Sequence, residues 1–181
     1  RMITDRGHEV GNHSYNHESW LQTYSYEKIE KEIISAEEAI FSATGQRPVG
    51  FRGPGFSWSN DLLEVLKKRN YIYDASTLPT WLGPLARAYY FWKSDLPKEE
   101  KKARKELFGK FSDGLRPNKP YYHTLSNNQK LLEIPVSAIP ILRIPFHLSY
   151  LIYLSGISKF LMIFYLQIAI FLCKITNTKP S

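Results

Sequence analysis

One cysteine, Cys173, stands in 181 residues. A lone thiol closes no internal disulfide, and its isolation removes cysteine-rich zinc frameworks. The chain also lacks an apolar run long enough for a confident membrane span. Its most hydrophobic region, 144–175, has charge-free runs interrupted by Lys159, and 160–173 falls short of the about 20 residues a spanning helix needs. No zinc-finger, RNA-binding or helix-turn-helix signature accompanies the net charge of +7, so nucleic acid is not read as a partner. That charge suits an anionic membrane surface or acidic glycans instead. No repeat, low-complexity tract or secretory leader is evident. One tempting signature is also absent. His8-Glu9 ahead of His13 looks like a zinc-protease motif, but that motif needs its histidines four apart and these are five apart.

What is present is a globular composition, with 43% hydrophobic and 23% charged residues. The length fits one domain with a real core. Aromatics reach 14%, which suits either a sugar-binding cleft or a membrane interface.

Helices and strands alternate along the first half. Residues 7–12 read as the end of a strand, with His13 at its C-terminal edge. Ser25 can cap a helix over 26–43, with Ile29, Ile33, Ala36 and Ile40 as its apolar stripe and Gly45 as its left-handed stop. Residues 48–51 form a short strand that delivers Arg52. Ser59 can cap a helix over 60–69 with Leu62, Leu63, Val65 and Leu66 facing inward, and Asn70 sits at the C-terminal cap. Residues 71–74 form the next strand. The alternation argues for a parallel α/β sheet or barrel, with functional residues just beyond strand ends.

Two segments carry the chemistry. Gly7-His-Glu-Val-Gly-Asn-His-Ser-Tyr-Asn-His17 sets His13 and His17 four apart. On a helical turn their Cβ atoms would lie about 5–6 Å apart on one face. That is close enough to share one metal ion at about 2.0–2.1 Å. The spacing alone also fits a pair of surface or capping imidazoles. Gly50-Phe-Arg-Gly-Pro-Gly55 puts Arg52 inside a turn whose backbone can approach a ligand closely.

Taken in order, these segments and Tyr73-Asp-Ala-Ser76 resemble the second, third and fourth motifs of the polysaccharide deacetylases (NodB-type, carbohydrate esterase family four). The resemblance is good over roughly 5–80 and looser through Leu132-Glu-Ile-Pro-Val136 and beyond. It implies part of a distorted (β/α)7 barrel and a metal-dependent hydrolase that removes an N-acyl group, acetyl or formyl, from a sugar. His13 and His17 would be two of three ligands to a divalent ion, expected to be zinc. The family's first motif supplies an aspartate as the third ligand and another as the base. No such segment precedes Asp5, so the chain is expected to be a fragment with little or no activity of its own.

The resemblance also gives roles to other residues, each beside an ordinary alternative. Arg52 would orient the catalytic carboxylate, or form a structural ion pair. Asp74 would tune the catalytic histidine, or cap a strand end. His147, in Ile144-Pro-Phe-His147, is a candidate for that histidine, or a packed core imidazole; His123 is the other candidate, and the alternative is a final motif that lies beyond Ser181. Ser14 and Asn16 would shape the loop between the ligands.

The domain divides into a metal-site core over 1–78, an insertion over 79–122, and a C-terminal strand and apolar helical region over 123–181. Within the insertion, 97–111 is a basic helical run following aromatic residues. It reads as an interfacial helix, or equally as a solvated lid. Residues 131–136 read as a core strand. Residues 144–175 are apolar on nearly all sides and read as a core helix, or as a segment entering one leaflet. The leading substrate is a membrane-proximal or lipid-linked glycan, with the protein in the cell envelope or on a membrane. The alternative is a truncated or degenerate relative that binds glycan or membrane without turnover.

Overall fold

A computed structural model describes residues 2–95, 97, 101, 111–126, 128–146 and 148–178. Helix α1 (Tyr26–Thr44) starts where the Ser25 hydroxyl accepts from the Lys28 N–H and ends at Gly45, whose φ is 77°. Strand β1 (Gly50–Phe51) follows. Helix α2 (Asn60–Lys68) is capped by Ser59, which accepts from the Leu62 N–H. Next come β2 (Tyr73–Asp74), α3 (Gly83–Lys93), β3 (Tyr121–Thr124) and β4 (Lys130–Glu133). Two helices, α4 (Leu148–Ile157) and α5 (Lys159–Ile175), close the described chain.

The strands form one sheet in the order β1-β2-β4-β3. The β1–β2 and β2–β4 pairs are parallel, whereas β3 lies antiparallel to β4. Asn12 adds a single parallel rung beside Phe51 at the outer edge of β1. The result is a partial, mixed α/β sheet of four strands among the described residues. Helices α1 and α2 cover one face, where Ile29, Ile33, Leu62, Leu63, Val65 and Leu66 pack on Phe51 and Leu131. Burying each such side chain fully is worth about 1.5–3 kcal/mol. Ion pairs from Glu37 to Arg69 and from Glu30 to Lys68 tie the two helices together.

Three local expectations change. Residues 13–17 form a non-helical loop, with Ser14 and His17 at φ of 61° and 56°, so the imidazoles are not brought together by a helical turn. Residues 7–11 form no strand, and only Asn12 pairs. Residues 144–175 are not a core helix. Ser158 divides the run into α4 and α5, and only Ala169 of α5 is buried. Phe160 and Phe171 are 74% and 61% exposed. No helix among the described residues is long and apolar enough to cross a membrane. The basic run over 97–111 lies mostly outside the described residues, as does His147.

Strand β3 was not legible as a strand. Its signal is Tyr121-Tyr-His-Thr124, rich in β-formers, ahead of a turn in which Asn128 takes φ of 56°.

Candidate active site

The site is built on the loop after Asn12. That residue is buried, and its side chain makes three hydrogen bonds. Its amide NH2 donates to the Ile33 carbonyl at 3.2 Å and the Tyr71 hydroxyl at 2.7 Å, and its carbonyl accepts from the Ser14 N–H at 2.8 Å. Its backbone bonds to Gly50 and Arg52 on β1 and just beyond it. The chain therefore leaves the sheet edge at a fixed point. Glu32 of α1 then clamps the loop, its carboxylate accepting from the Tyr15 and Asn16 N–H groups and from the Asn16 side-chain amide. The Ser14 hydroxyl accepts from the His17 N–H at 3.1 Å. Ser14 and Asn16 thus do shape the loop between the two histidines.

This loop brings the His13 and His17 rings to 4.8 Å between centroids, edge to face. His13 Nδ1 lies 2.5 Å from the Arg52 carbonyl oxygen. A carbonyl only accepts, so Nδ1 carries the proton and donates. The lone pair is then on Nε2, the tautomer in which a metal-binding imidazole is held by a backbone carbonyl. Both rings are exposed. Two imidazoles this close could supply two ligands to a divalent ion. Among the described residues, no third His, Cys, Asp or Glu joins them in a group that could hold a metal.

His13 and Arg52 line one open cleft of about 450 Å³, together with Tyr73, Ala75 and Ile134. The Arg52 side chain is anchored by its Nε–H, which donates to the Ala75 carbonyl at 3.1 Å. Tyr73 crosses the sheet over Gly50, where a Cβ would lie 2.1 Å from its ring. Glycine is required there by this close approach. The Tyr73 hydroxyl donates to Glu9 at 2.6 Å. Burial first, and then the Glu9 carboxylate, push this phenol up to about 12. Neither Glu9 nor Tyr73 stood out in the sequence as a site residue.

Asp74 lies elsewhere. It pairs in register with Phe51 on one side and Glu133 on the other, so all three point to the same sheet face. Asp74 is fully buried, and its carboxyl accepts from the Ala75 N–H and the Ser76 hydroxyl. The Ser76 oxygen in turn accepts from the Gly53 N–H at 2.8 Å. Asp74 therefore supports the Arg52 turn from beneath.

The imidazole associated with Asp74 is His123, whose Nε2 is 3.3 Å from Glu133 Oε2. Three buried atoms meet here with no conventional hydrogen-bond partner: Asp74 Oδ2, Glu133 Oε2 and His123 Nε2. Asp74 and Glu133 pair in register on adjacent strands, so a proton held on Asp74 removes the repulsion between two buried carboxylates. Burial, joined by the charge of Glu133, raises Asp74 well above the usual carboxylate range. Burial also raises Glu133 and lowers His123.

Residues 1–73 match the family model described as polysaccharide deacetylase. A peptidoglycan deacetylase of Helicobacter pylori is 36% identical over 78 residues, covering 43% of this chain and 26% of that protein. A peptidoglycan deacetylase-like protein of Gibberella zeae is 35% identical over 93 residues, covering 50% and 25%. The chain thus spans about a quarter of the length of these curated relatives. Among solved structures, a Mycobacterium smegmatis protein assigned to the polysaccharide deacetylases superposes with a TM-score of 0.50 at 21% identity. That match covers 75% of this chain and 34% of the other, and it bears on the fold alone.

Proposed function

We propose, on the match of residues 1–73 to the polysaccharide deacetylase family model, that the cleft of this chain serves a metal-dependent N-deacylase. The substrate is an N-acylated sugar, and the bond cleaved is the amide C–N bond. The observation that carries the reading is the His13–His17 pair, with rings 4.8 Å apart and His13 held by the Arg52 carbonyl in the tautomer that frees Nε2. His13 and His17 would hold the ion, proposed to be zinc, and a bound divalent metal would polarise the acyl oxygen and acidify a water.

The chain's own residues prepare the cleft. Asn12 and Glu32 fix the histidine loop. The Arg52 guanidinium stands exposed at the cleft, where its planar fork suits a carboxylate. Tyr73 presents a phenol that keeps its proton throughout the neutral range; that proton goes to Glu9, which leaves the phenol oxygen to accept from a sugar hydroxyl. His147 is retained as the candidate proton donor to the leaving amine. The described sheet is read as part of a (β/α)7 barrel.

The exposed apolar faces of α4 and α5 favour a membrane-proximal or lipid-linked glycan, and a place in the cell envelope or on a membrane. The names of the curated relatives favour peptidoglycan-type sugars. A second reading, a non-catalytic glycan- or membrane-binding relative, is favoured by one observation: the histidine pair has no third ligand among the described residues.

Release of acetate or formate from N-acylated aminosugars tests the two readings, measured on this chain and on a longer form carrying an Asp-Asp segment ahead of it. The hydrolase reading expects turnover that needs the longer form, metal, His13 and His17. A metal-loaded longer form without turnover would leave the binding reading.

A further inference from the structure

A cavity of about 490 Å³ lies between α5 and the segment that follows β4. Its wall is apolar, formed by Ala138, Ile139, Phe146, Ala169 and Ile170. Lys174 and Asn177 are exposed and stand where it meets solvent. The volume falls in the about 300–1,000 Å³ range of small-molecule sites. The wall is held in place from both sides. Phe146 stacks on Tyr165 of α5 at 6.0 Å between centroids, and the Tyr165 hydroxyl donates to the Pro145 carbonyl at 2.9 Å.

We propose that this cavity takes one hydrocarbon chain of an anionic bilayer lipid, with the headgroup at Lys174. Three observations converge on that occupant. The surface inside the cavity is mainly apolar, although Asn118, Ser137 and Thr178 also line it, so a hydrocarbon chain finds most of its contacts there. Its lining includes an exposed apolar residue: Ile170 lines the cavity and is 53% exposed, and α5 carries further exposed apolar residues in Phe160, Phe164 and Phe171. The third observation is charge. No Asp or Glu follows Glu133 in the sequence, whereas Arg143, Lys159, Lys174 and Lys179 do. An anionic headgroup therefore meets attraction there and no carboxylate from this part of the chain.

The cavity is separate from the histidine cleft, but the two share a segment. Ile134 lines the cleft, and Ser137, Ala138 and Ile139 line the cavity. The inference goes beyond the hydrolase reading and is tested without turnover.

Cys173 lines the cavity and is the only cysteine in the chain, so its alkylation by N-ethylmaleimide reports occupancy. Dodecyl phosphate below its micellar concentration should slow that reaction by about tenfold at saturation, because a seated chain covers most of the cavity wall. Inorganic phosphate should not slow it. Lys174→Glu, an exposed change, should raise the half-protecting concentration about tenfold, because charge at an anionic headgroup reverses. Ala169→Trp, which fills the cavity, should abolish protection with an unchanged circular dichroism spectrum. An unchanged rate with dodecyl phosphate would overturn the proposal. So would equal protection by dodecyltrimethylammonium, or protection undiminished by Lys174→Glu, either of which would mean indiscriminate adsorption on α5. Protection that grows with protein concentration alone would give the cavity to a second copy of the chain and overturn it too.

Discussion

Replacing Asp74 separates a protonated carboxyl from a simple buried anion. Asp74→Asn keeps an oxygen that can accept from the Ala75 N–H and the Ser76 hydroxyl. Its new NH2 carries no charge to set against Glu133, its in-register neighbour. The expected stability at pH 5 is within about 1 kcal/mol of the parent. Asp74→Ala strands both buried donors and releases Ser76 beneath Gly53, for an expected loss of about 2–4 kcal/mol.

The pH dependence has a definite sign. Asp74 and Glu133 are raised in the folded state, so the native protein holds protons that the unfolded chain releases. Their stabilisation is fully present below the ordinary carboxylate range and is lost as pH rises toward the folded values. Each such proton gives a slope of at most about 1.4 kcal/mol per pH unit. His123 is lowered and acts oppositely. Its contribution is present at neutral pH and is lost as pH falls below about 6.5. Urea unfolding between pH 4 and 9 should therefore show Asp74→Asn gaining on the parent as pH rises. An asparagine variant as unstable as alanine, or one with the parent's full slope, would refute the proton on Asp74.

Glu32→Ala should release the Tyr15 and Asn16 backbone groups and lower the affinity of the histidine pair for zinc by about 10–100-fold, measured by calorimetry, since support residues commonly carry that weight. Gly50→Ala places a Cβ 2.1 Å from the Tyr73 ring. It should cost about 1–3 kcal/mol by overpacking, and Tyr73→Ala in the same chain should restore most of that loss in thermal unfolding. In an active longer form, Arg52→Lys should sharply reduce turnover and leave metal content near normal, because a point charge cannot copy the guanidinium fork. Unchanged activity would assign Arg52 to structure. Flotation with anionic liposomes should retain a salt-resistant part, from the apolar faces of α4 and α5, after screening removes the basic contribution. A chain that never floats would return those faces to protein contacts.

Local rules made much of the fold legible. Ser25, Gly45, Ser59 and Asn70 mark helix ends that the structure keeps. The stripes Ile29–Ile33 and Leu62–Leu66 supply the core where periodicity puts them. The proximity of His13 and His17 was also legible, but its cause was not. It depends on Glu32, from a helix that begins nine residues beyond His17, and on left-handed backbone that no helical spacing anticipates. The Asp74–Glu133–His123 group was hidden for a similar reason. Its members meet through strand register and an unrecognised antiparallel partner, β3. The apolar run over 144–175 was visible as a pattern. Its periodicity favours no face, so sequence alone could not say that most of it would be left uncovered.

Joint ligation by His13 and His17 through Nε2 has a signature in nitrogen-detected NMR of the imidazoles during a zinc titration. Before zinc, His13 should show a protonated Nδ1 and an unprotonated Nε2. As zinc is added, the Nε2 signals of His13 and His17 should move together toward one equivalent, while His8 and His123 stay in place, and His17→Ala should abolish the response at His13. Independent shifts of the two rings, or a His13 tautomer with the proton on Nε2, would contradict the account.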